Sequence, residues 1–311
     1  MVTARSFGQG DGRPFELLKR HDYESVKLNN HGPLDAGRLR ALIPGFDAVI
    51  AGLDTYSRPV FEGAPGLKVV SRYGVGYDKI DMDAAREHGV AVTVTPGANE
   101  NSVADLSMAL MLSAARFIPF ADREAKTGDF NRKIGVEMWQ KTLGIIGLGR
   151  IGRGVVKRAN GFSMDIICYD VMQDDEFARG HGVRYAGFEE LLQNADFITI
   201  HTPLNDQTRH LLGAAQFAMM KKSAVLVNTA RGGIVDERAL YEALRNNGIA
   251  AAALDVTEDE PPAGSPLLRL DNCIVTSHIG GYTKDAVLSM GMAAAQNVID
   301  ILETGSCVNE I

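Results

Sequence analysis

An arginine, a histidine and a cluster of carboxylates stand where they could perform chemistry together. Arg231 follows the apolar run "SAVLVNTA", His278 follows "NCIVTS", and Glu258, Asp259 and Glu260 follow "AAAALDV". A guanidinium fork can grip a substrate carboxylate, and an imidazole exchanges protons near neutral pH. A carboxylate paired with that imidazole favours its charged form and fixes its tautomer. The residues alone leave open which acid would serve, and whether Arg231 only caps a strand end.

The histidines differ in their sequence context. Only His278 ends an apolar run and is followed by two glycines, which suits a proton donor. His201, in "TIHTPL", also ends a run and could line a cofactor cleft. The others lie in polar or loop contexts and are predicted to be solvated, namely His21, His31, His88, His181 and His210.

A glycine turn, "GIIGLGRIG", places Gly147, Gly149 and Gly152 in the order G-x-G-x-x-G between a strand pattern and a helix pattern. Such glycines permit a tight turn, close approach of a pyrophosphate and close packing of helix on strand, and the helix start supplies N–H groups to phosphates. Asp170 ends the next strand and would accept hydrogen bonds from both ribose hydroxyls, but would repel a 2′-phosphate. The following "VMQDDE" has no Arg or Lys to neutralise one. The sequence therefore predicts NAD rather than NADP.

The elements that must position these residues alternate along the chain. Short apolar runs ending in turn residues predict strands in the segments 47–53, 67–75, 89–96, 141–149, 164–170, 195–204, 223–230, 249–256 and 272–281. Helical patterns at 152–159, 188–193 and 237–245 separate several of them. This alternation predicts an α/β protein with parallel sheets, in which functional side chains collect at the carboxyl ends of strands.

Two domains are expected from the length of 311 residues and from a long helical pattern that begins near Asn99. Asn101 or Ser102 could cap this helix, and it separates the first three strands from the later six. A second amphipathic pattern at 285–305 is predicted to pack back on the first domain. The predicted domains are residues 1–99 plus 284–311, and residues 100–283.

Composition narrows the class of partner. The net charge is -7, which does not favour nucleic acid or an anionic membrane as partner, and no apolar run approaches the length of a membrane span. Cys168, Cys273 and Cys307 are scattered without C-x-x-C spacing, which indicates a reducing compartment and no metal site. A cytoplasmic protein is therefore expected.

Together with the glycine turn, three stretches, "NTARGGIVDERAL", "ALDVTEDEPP" and "SHIGGYT", closely resemble the D-isomer-specific 2-hydroxyacid dehydrogenases. The resemblance covers nearly the whole chain, including "SRYGVGYDKID" and "VTPGANENSVAD". It implies two doubly wound parallel-sheet lobes, a flavodoxin-like substrate domain and a Rossmann NAD-binding domain, with the active site between them. It also implies a homodimer formed through the cofactor domain.

The resemblance assigns roles to individual residues. It implies that Arg231, Glu260 and His278 are catalytic, and it selects Glu260 because the family glutamate directly precedes a double proline. Val75 and Gly76, with Arg231, would bind the substrate. The implied cofactor contacts are Gly147, Gly149, Arg150, Ile151, Gly152, Asp170, Thr202, Pro203, Ala230, Asp255 and Gly280.

Several substrates and one non-catalytic function fit the resemblance. The expected activity is interconversion of a D-2-hydroxy acid and its 2-keto acid with NAD, and "RYGVGYDKID" and "TPGANENSVA" favour 3-phosphoglycerate as substrate. Hydroxypyruvate or glyoxylate reduction is the alternative. A non-enzymatic NAD-sensing protein, similar to the C-terminal-binding corepressors, is a third hypothesis.

Overall fold

Apolar strand segments and helices alternate along the whole chain, and the computed structural model describes residues 1–311. The strands are β1 (Ala48–Ala51), β2 (Val69–Arg72), β3 (Ala91–Thr93), β4 (Thr142–Ile146), β5 (Asp165–Tyr169), β6 (Val183–Tyr185), β7 (Phe197–Ile200), β8 (Val225–Asn228), β9 (Ala251–Leu254) and β10 (Cys273–Val275). The helices are α1 (Arg13–Arg20), α2 (Ala36–Leu42), α3 (Arg58–Glu62), α4 (Met82–Glu87), α5 (Glu100–Ala115), α6 (Ile118–Thr127), α7 (Arg150–Ala159), α8 (Asp175–His181), α9 (Phe188–Asn194), α10 (Ala214–Met219), α11 (Glu237–Arg245) and α12 (Lys284–Thr304). Every predicted strand is present, and only the three-residue β6 has no counterpart among the predictions.

The chain divides into two units. One contains Met1–Asn99 and Gly281–Ile311, and the other contains Glu100–Gly280. The second boundary precedes the predicted crossing at Thr283, because Gly281 packs closely beside Asn99 and Met290 of the first unit.

The first unit is a parallel sheet in the order β1-β2-β3, to which Val2 adds single parallel bridges with Ile50 and Lys27. These five segments follow the 2-1-3-4-5 order of a flavodoxin-like sheet. Helix α12 lies in the hydrophobic core of this unit, where Ala294 and Ala295 are fully buried.

The second unit is a seven-stranded parallel sheet in the order β10-β9-β8-β7-β4-β5-β6. The chain starts in the centre at β4, winds outward to β6, and then returns to β7 and winds the other way. Strand side chains alternate between two cores: Ile145 packs on the face covered by α5 and α7, and Ile146 packs on the face covered by α9, α10 and α11. This is the order of a Rossmann sheet, so the predicted α/β fold with two doubly wound sheets is confirmed.

The long helix predicted after Asn99 is wrong in one respect. It is two helices, α5 and α6, bent by 59°. Phe117 adopts a left-handed conformation with φ 52°, and the proline that follows in the first turn of α6 cannot continue the hydrogen bonds of α5. The candidate caps Asn101 and Ser102 lie inside α5. No single helix in the chain is long and apolar enough to cross a membrane. The bent pair of α5 and α6 meets the criteria of length and apolarity only when the two helices are taken together.

Candidate active site

The carboxyl ends of the strands in the second unit gather most of the residues that the sequence singles out. Because parallel strands end at the same edge, residues far apart in sequence meet there. The glycine turn follows β4, Asp170 follows β5, Thr202 and Pro203 follow β7, Ala230 and Arg231 follow β8, Asp255 and Glu260 follow β9, and His278 and Gly280 follow β10.

The glycine turn between β4 and α7 has no room for side chains at two of its three positions. A Cβ on Gly147, whose φ is +97°, would lie 2.7 Å from the backbone of His201, and one on Gly152 would lie 2.3 Å from the carbonyl oxygen of Gly147. A Cβ on Gly149 would meet no atom within 4 Å, so the turn is open at the start of the helix. The amides of Arg150 and Ile151 have no acceptor within α7. Open space facing free amides fits the pyrophosphate of a dinucleotide.

Asp170 is tied to this turn. Its Oδ2 accepts a hydrogen bond from the Leu148 amide at 2.6 Å, and its Oδ1 accepts one from the Met172 amide at 2.8 Å. Each carboxylate oxygen retains a second lone pair, which leaves acceptors for two ribose hydroxyls. The arrangement fits the ribose of an unphosphorylated dinucleotide, and the negative charge opposes a 2′-phosphate.

Arg231 is positioned by the buried Asn228 at the end of β8. The Asn228 side chain accepts a hydrogen bond from the Ala230 amide at 3.0 Å and donates one to the Arg231 carbonyl at 2.8 Å. The Arg231 Nη1 donates to the Ala230 carbonyl at 2.7 Å. These bonds fix the backbone on both sides of Arg231. The position from which its half-buried side chain extends is therefore fixed as well.

Gly232 brings the Arg231 loop against the loop that carries Glu260. A Cβ on Gly232 would lie 2.0 Å from the carbonyl carbon of Thr257 and 2.4 Å from the Glu258 nitrogen. Only a glycine permits this backbone contact. The sequence shows two glycines after Arg231, but it does not show that the first of them faces the acidic loop.

Glu260 and His278 form the central pair of the site. The His278 Nδ1 lies 3.0 Å from each oxygen of the Glu260 carboxylate. An ionised carboxylate only accepts hydrogen bonds, so Nδ1 carries the proton that binds Glu260, and Nε2 is left to exchange a proton with a ligand. Both side chains are about three-quarters buried, with 27% and 23% exposed. Of the three acids in the loop, the structure places Glu260 against the histidine.

Asp255 holds the backbone around His278. Its fully buried carboxylate accepts hydrogen bonds from the Thr276 hydroxyl at 2.6 Å and from the Ile279 and Gly280 amides at 2.8 Å. Its carbonyl accepts a fourth from the His278 amide at 2.9 Å. His278 itself has a left-handed backbone with φ 54°, which few non-glycine residues adopt. Asp255 therefore positions the histidine, in addition to any cofactor contact that the resemblance implies.

Asp255→Asn is expected to lower the free energy of unfolding by roughly 1 to 3 kcal/mol, because the amide group turns a donor toward a buried N–H donor. Urea unfolding of the two proteins measures this change. Asp236→Asn is the matched control, since Asp236 caps α11 through one acceptor oxygen that asparagine retains. Equal stability of the Asp255 variant and the parent would contradict the positioning role.

Glu258 is exposed, and it also contacts two residues that lie elsewhere in the sequence. Its amide donates to the Glu237 carboxylate at 2.6 Å, its carboxylate accepts from the Glu237 amide at 3.3 Å, and its Oε1 lies 3.1 Å from the His210 Nε2. Burial, reinforced by the charge of Glu258, raises the pKa of Glu237. His210, which is exposed as its sequence context predicts, also contacts the acidic loop through this pair. These contacts join segments distant in sequence, which no local pattern reveals.

His201 is excluded as a proton donor. Burial lowers its pKa to about 3, so the ring is neutral at physiological pH. Its Nε2 lies 2.9 Å from the Thr199 hydroxyl, and its Nδ1 is buried without a hydrogen-bond partner. The residue stands beneath the glycine turn, where its backbone contacts Gly147.

In the first unit, Val75 and Gly76 lie in a loop after β2. The buried Arg72 shapes this loop: its Nε donates to the Gly76 carbonyl at 2.8 Å and its Nη1 donates to the Tyr73 carbonyl. Gly74 has φ +135° and packs on the guanidinium. The carbonyls thus turn inward to Arg72, while the amides of Val75 and Gly76 donate no hydrogen bond within the protein. Such a loop can bind an anion through backbone N–H groups.

Comparisons with known proteins identify the family of the chain. The family model described as "D-isomer specific 2-hydroxyacid dehydrogenase, NAD binding domain" matches residues 108–280. The D-3-phosphoglycerate dehydrogenase of Methanocaldococcus jannaschii is 51% identical over 249 residues, which are 79% of this chain and 48% of that protein. The glyoxylate reductase of Korarchaeum cryptofilum is 41% identical over 261 residues, covering 81% of this chain and 79% of that protein. The TT0316 protein of Thermus thermophilus superposes with a TM-score of 0.90 at 34% identity, covering 100% of this chain and 98% of that one.

The length of the match differs between these relatives. The chain spans about half the length of the phosphoglycerate dehydrogenases that it matches, 48% and 50% of the two proteins. The glyoxylate reductase is covered over most of its length. The resemblance read from the sequence motifs is confirmed: the chain belongs to the D-isomer specific 2-hydroxyacid dehydrogenase family, and residues 108–280 match its NAD-binding domain.

Proposed function

We propose that the protein interconverts a D-2-hydroxy acid and its 2-keto acid, with NAD as the hydride carrier. The observation that carries the proposal is the contact of the His278 Nδ1 with both oxygens of Glu260 at 3.0 Å. The pair lies on the same sheet edge as the glycine turn and Arg231. This reaction needs a proton donor, a cation that binds the substrate carboxylate, and a dinucleotide-binding turn, and all three lie at this edge of the sheet.

Arg231 would bind the carboxylate of the keto acid through its planar fork and place positive charge beside the carbonyl oxygen. The backbone amides of Val75 and Gly76 would supply further donors to the substrate. Asn228 acts through Arg231, because its side chain fixes the peptide groups on either side of the arginine. It is a positioning residue that the sequence analysis missed.

His278 would transfer the proton. The chemistry that NADH would supply, when bound, is a hydride for the keto carbon. The His278 Nε2 would donate its proton to the carbonyl oxygen, which gives the hydroxy acid. Glu260 favours the charged imidazole before transfer and fixes the tautomer with Nδ1 protonated. In the oxidative direction the neutral Nε2 would accept the hydroxyl proton, and the hydride would pass from the same carbon to bound NAD.

The residues at the turn would hold NAD in a defined orientation. The amides of Arg150 and Ile151 would bind the pyrophosphate, and Asp170 would bind the adenosine ribose. Further cofactor contacts are proposed at residues that follow the ends of β7, β8 and β10 in the same sheet, namely Thr202, Pro203, Ala230 and Gly280.

The proposed substrate pair is 3-phosphoglycerate and its keto acid, with hydroxypyruvate or glyoxylate as the alternative. The 51% identity to a phosphoglycerate dehydrogenase favours the first, whereas the fuller coverage of a glyoxylate reductase, 79%, favours the second. Loss of NADH absorbance with 3-phosphohydroxypyruvate, hydroxypyruvate and glyoxylate, compared as kcat/KM, distinguishes them. NADH binding without turnover of any keto acid would refute the enzymatic proposal and favour an NAD-sensing function.

We further propose that the protein is a homodimer formed through the second unit. Helix α6 has no buried residue, and the segment after it exposes Phe130 to 80% and Ile134 to 99%. Large exposed apolar side chains in one region mark association surfaces. The double variant Phe130→Glu, Ile134→Glu is expected to sediment as a monomer, whereas Val308→Glu, at an equally exposed position of the first unit, should not change the mass. A parent protein that sediments as a monomer would contradict the proposal.

A further inference from the structure

A cation stands beside the ribose-binding acid, although the sequence around Asp170 contains none. Arg153 reaches the site from α7, its Nε donates to the Leu148 carbonyl at 3.2 Å, and Asp170 accepts from the amide of the same Leu148 at 2.6 Å. The guanidinium and the carboxylate therefore bind opposite sides of one residue of the glycine turn. The stretch "VMQDDE" contains no Arg or Lys, as stated above, but the fold brings the Arg153 side chain to the same turn.

Asp174 neutralises this cation. The Arg153 Nη2 lies 2.8 Å from the Asp174 Oδ2, with 40% and 37% of the two side chains exposed. The guanidinium also lies 4.8 Å from the centre of the Phe177 ring. Three contacts, with Leu148, Asp174 and Phe177, thus hold the arginine in one orientation, with its charge directed at Asp174.

Asp174 is itself fixed by contacts that do not involve Arg153. Its Oδ1 accepts from the Phe177 amide at 3.0 Å as the N-cap of α8, and its own amide donates to the Tyr185 hydroxyl at 2.8 Å. The N-cap bond and the charge of Arg153 lower the pKa of this carboxyl. The carboxylate therefore stays ionised and in place at neutral pH, whether or not a nucleotide is bound.

We propose that Asp174 is a second determinant of cofactor choice, which withholds Arg153 from a 2′-phosphate, and that the turn contains a masked phosphate site formed by Arg153. Asp170 repels the 2′-phosphate, and Asp174 removes the one guanidinium bonded to the turn that could bind it. Arginine forks bind phosphate strongly when no carboxylate competes. This inference rests on the proposed use of NAD at the glycine turn.

The test compares the dissociation constants of NADH, NADPH and adenosine 2′,5′-bisphosphate, measured by fluorescence and calorimetry. The parent is expected to bind NADH and to bind NADPH weakly. Asp170→Ala should reduce the difference between the dissociation constants of NADH and NADPH, because it removes the charge that repels the 2′-phosphate. Adding Asp174→Asn should lower the dissociation constants of NADPH and of the bisphosphate about 10-fold or more, the size of one charge-assisted contact. The dissociation constant of NADH should change little. Asparagine keeps the N-cap of α8, so melting temperature should be nearly unchanged.

Two matched variants decide whether Arg153 is responsible. Asp175→Asn removes an equal charge from the next residue, which makes no ion pair. It should lower the dissociation constant of NADPH much less than Asp174→Asn does. Arg153→Gln, added to the double variant, should abolish the gain. An equal gain from Asp175→Asn, or a gain that survives Arg153→Gln, overturns the inference. A parent that binds neither cofactor refutes the proposed function, whereas NADH binding without any gain from Asp174→Asn refutes this inference alone.

Discussion

His278→Gln is expected to lower kcat for keto-acid reduction roughly 10²- to 10⁴-fold, the usual contribution of a positioned acid or base. Glutamine can hydrogen-bond to a carbonyl but cannot deliver a proton, so substrate and NADH should still bind. Steady-state kinetics, with NADH affinity measured separately, checks the result. His88→Gln is a suitable control because His88 belongs to the first unit, where its Nδ1 lies 2.8 Å from the Ala84 carbonyl. A variant with kcat within a factor of a few of the parent would remove His278 from the mechanism.

The same pair sets an expectation for the carboxylate. Glu260→Gln keeps a hydrogen-bond acceptor for the His278 Nδ1 but removes the negative charge that lies 3.0 Å from it. We expect kcat for keto-acid reduction to fall by roughly 10-fold or more, the size of one charge-assisted contact, while NADH affinity, measured separately, is retained.

The control for this measurement follows from the structure of the acidic loop. Glu258 looks interchangeable with Glu260 in sequence, but it holds the loop through Glu237 and His210, so changing it would disturb the site indirectly. Asp259 is exposed, and Asp259→Asn should leave kcat close to that of the parent. If Asp259→Asn or Glu258→Gln lowered kcat while Glu260→Gln did not, Glu260 would be the wrong carboxylate.

Arg231→Lys is expected to lower kcat/KM for the keto acid by about 10²-fold or more, since the loss of a charged bidentate contact in the transition state costs roughly 3 kcal/mol. Lysine keeps the charge but not the fork, so both KM and kcat should suffer while NADH affinity is retained. The separation of substrate effects from cofactor affinity is the decisive readout.

Arg238→Lys serves as the comparison, because Arg238 is exposed on α11 in the same unit. Its kinetics should match those of the parent. Unchanged keto-acid kinetics in Arg231→Lys would leave Arg231 with the structural role of capping the end of β8, the alternative that the sequence alone does not exclude.

Much of the fold could be predicted because its strands are buried on both faces and read as continuous apolar runs. The three-residue β6 gives no such run, since Arg184 interrupts it at the edge of the sheet. The break between α5 and α6 was missed because one left-handed residue, Phe117, redirects a pattern that otherwise continues.

Some residues of the candidate site could also be predicted from the sequence, and others could not. The glycine turn, Asp170 and the catalytic residues sit next to recognisable strand ends, so local pattern and family motifs indicate them. Asn228, the Glu258 contacts and the Arg153–Asp174 pair depend on distances between segments far apart in sequence, which no spacing encodes. Their roles, like those of the catalytic residues, stay predictions until the variants are measured.

The backbone contact between Gly232 and Thr257 sets a limit on loop length. Because this contact anchors the acidic loop on one side, the few residues from Thr257 to Glu260 must span a fixed distance to reach His278. Each residue of extended chain covers up to about 3.5 Å, so one deletion or insertion here exceeds what a 3.0 Å hydrogen bond can absorb. Length variation among relatives should therefore begin only after Pro262, where the chain is exposed and bears no catalytic group.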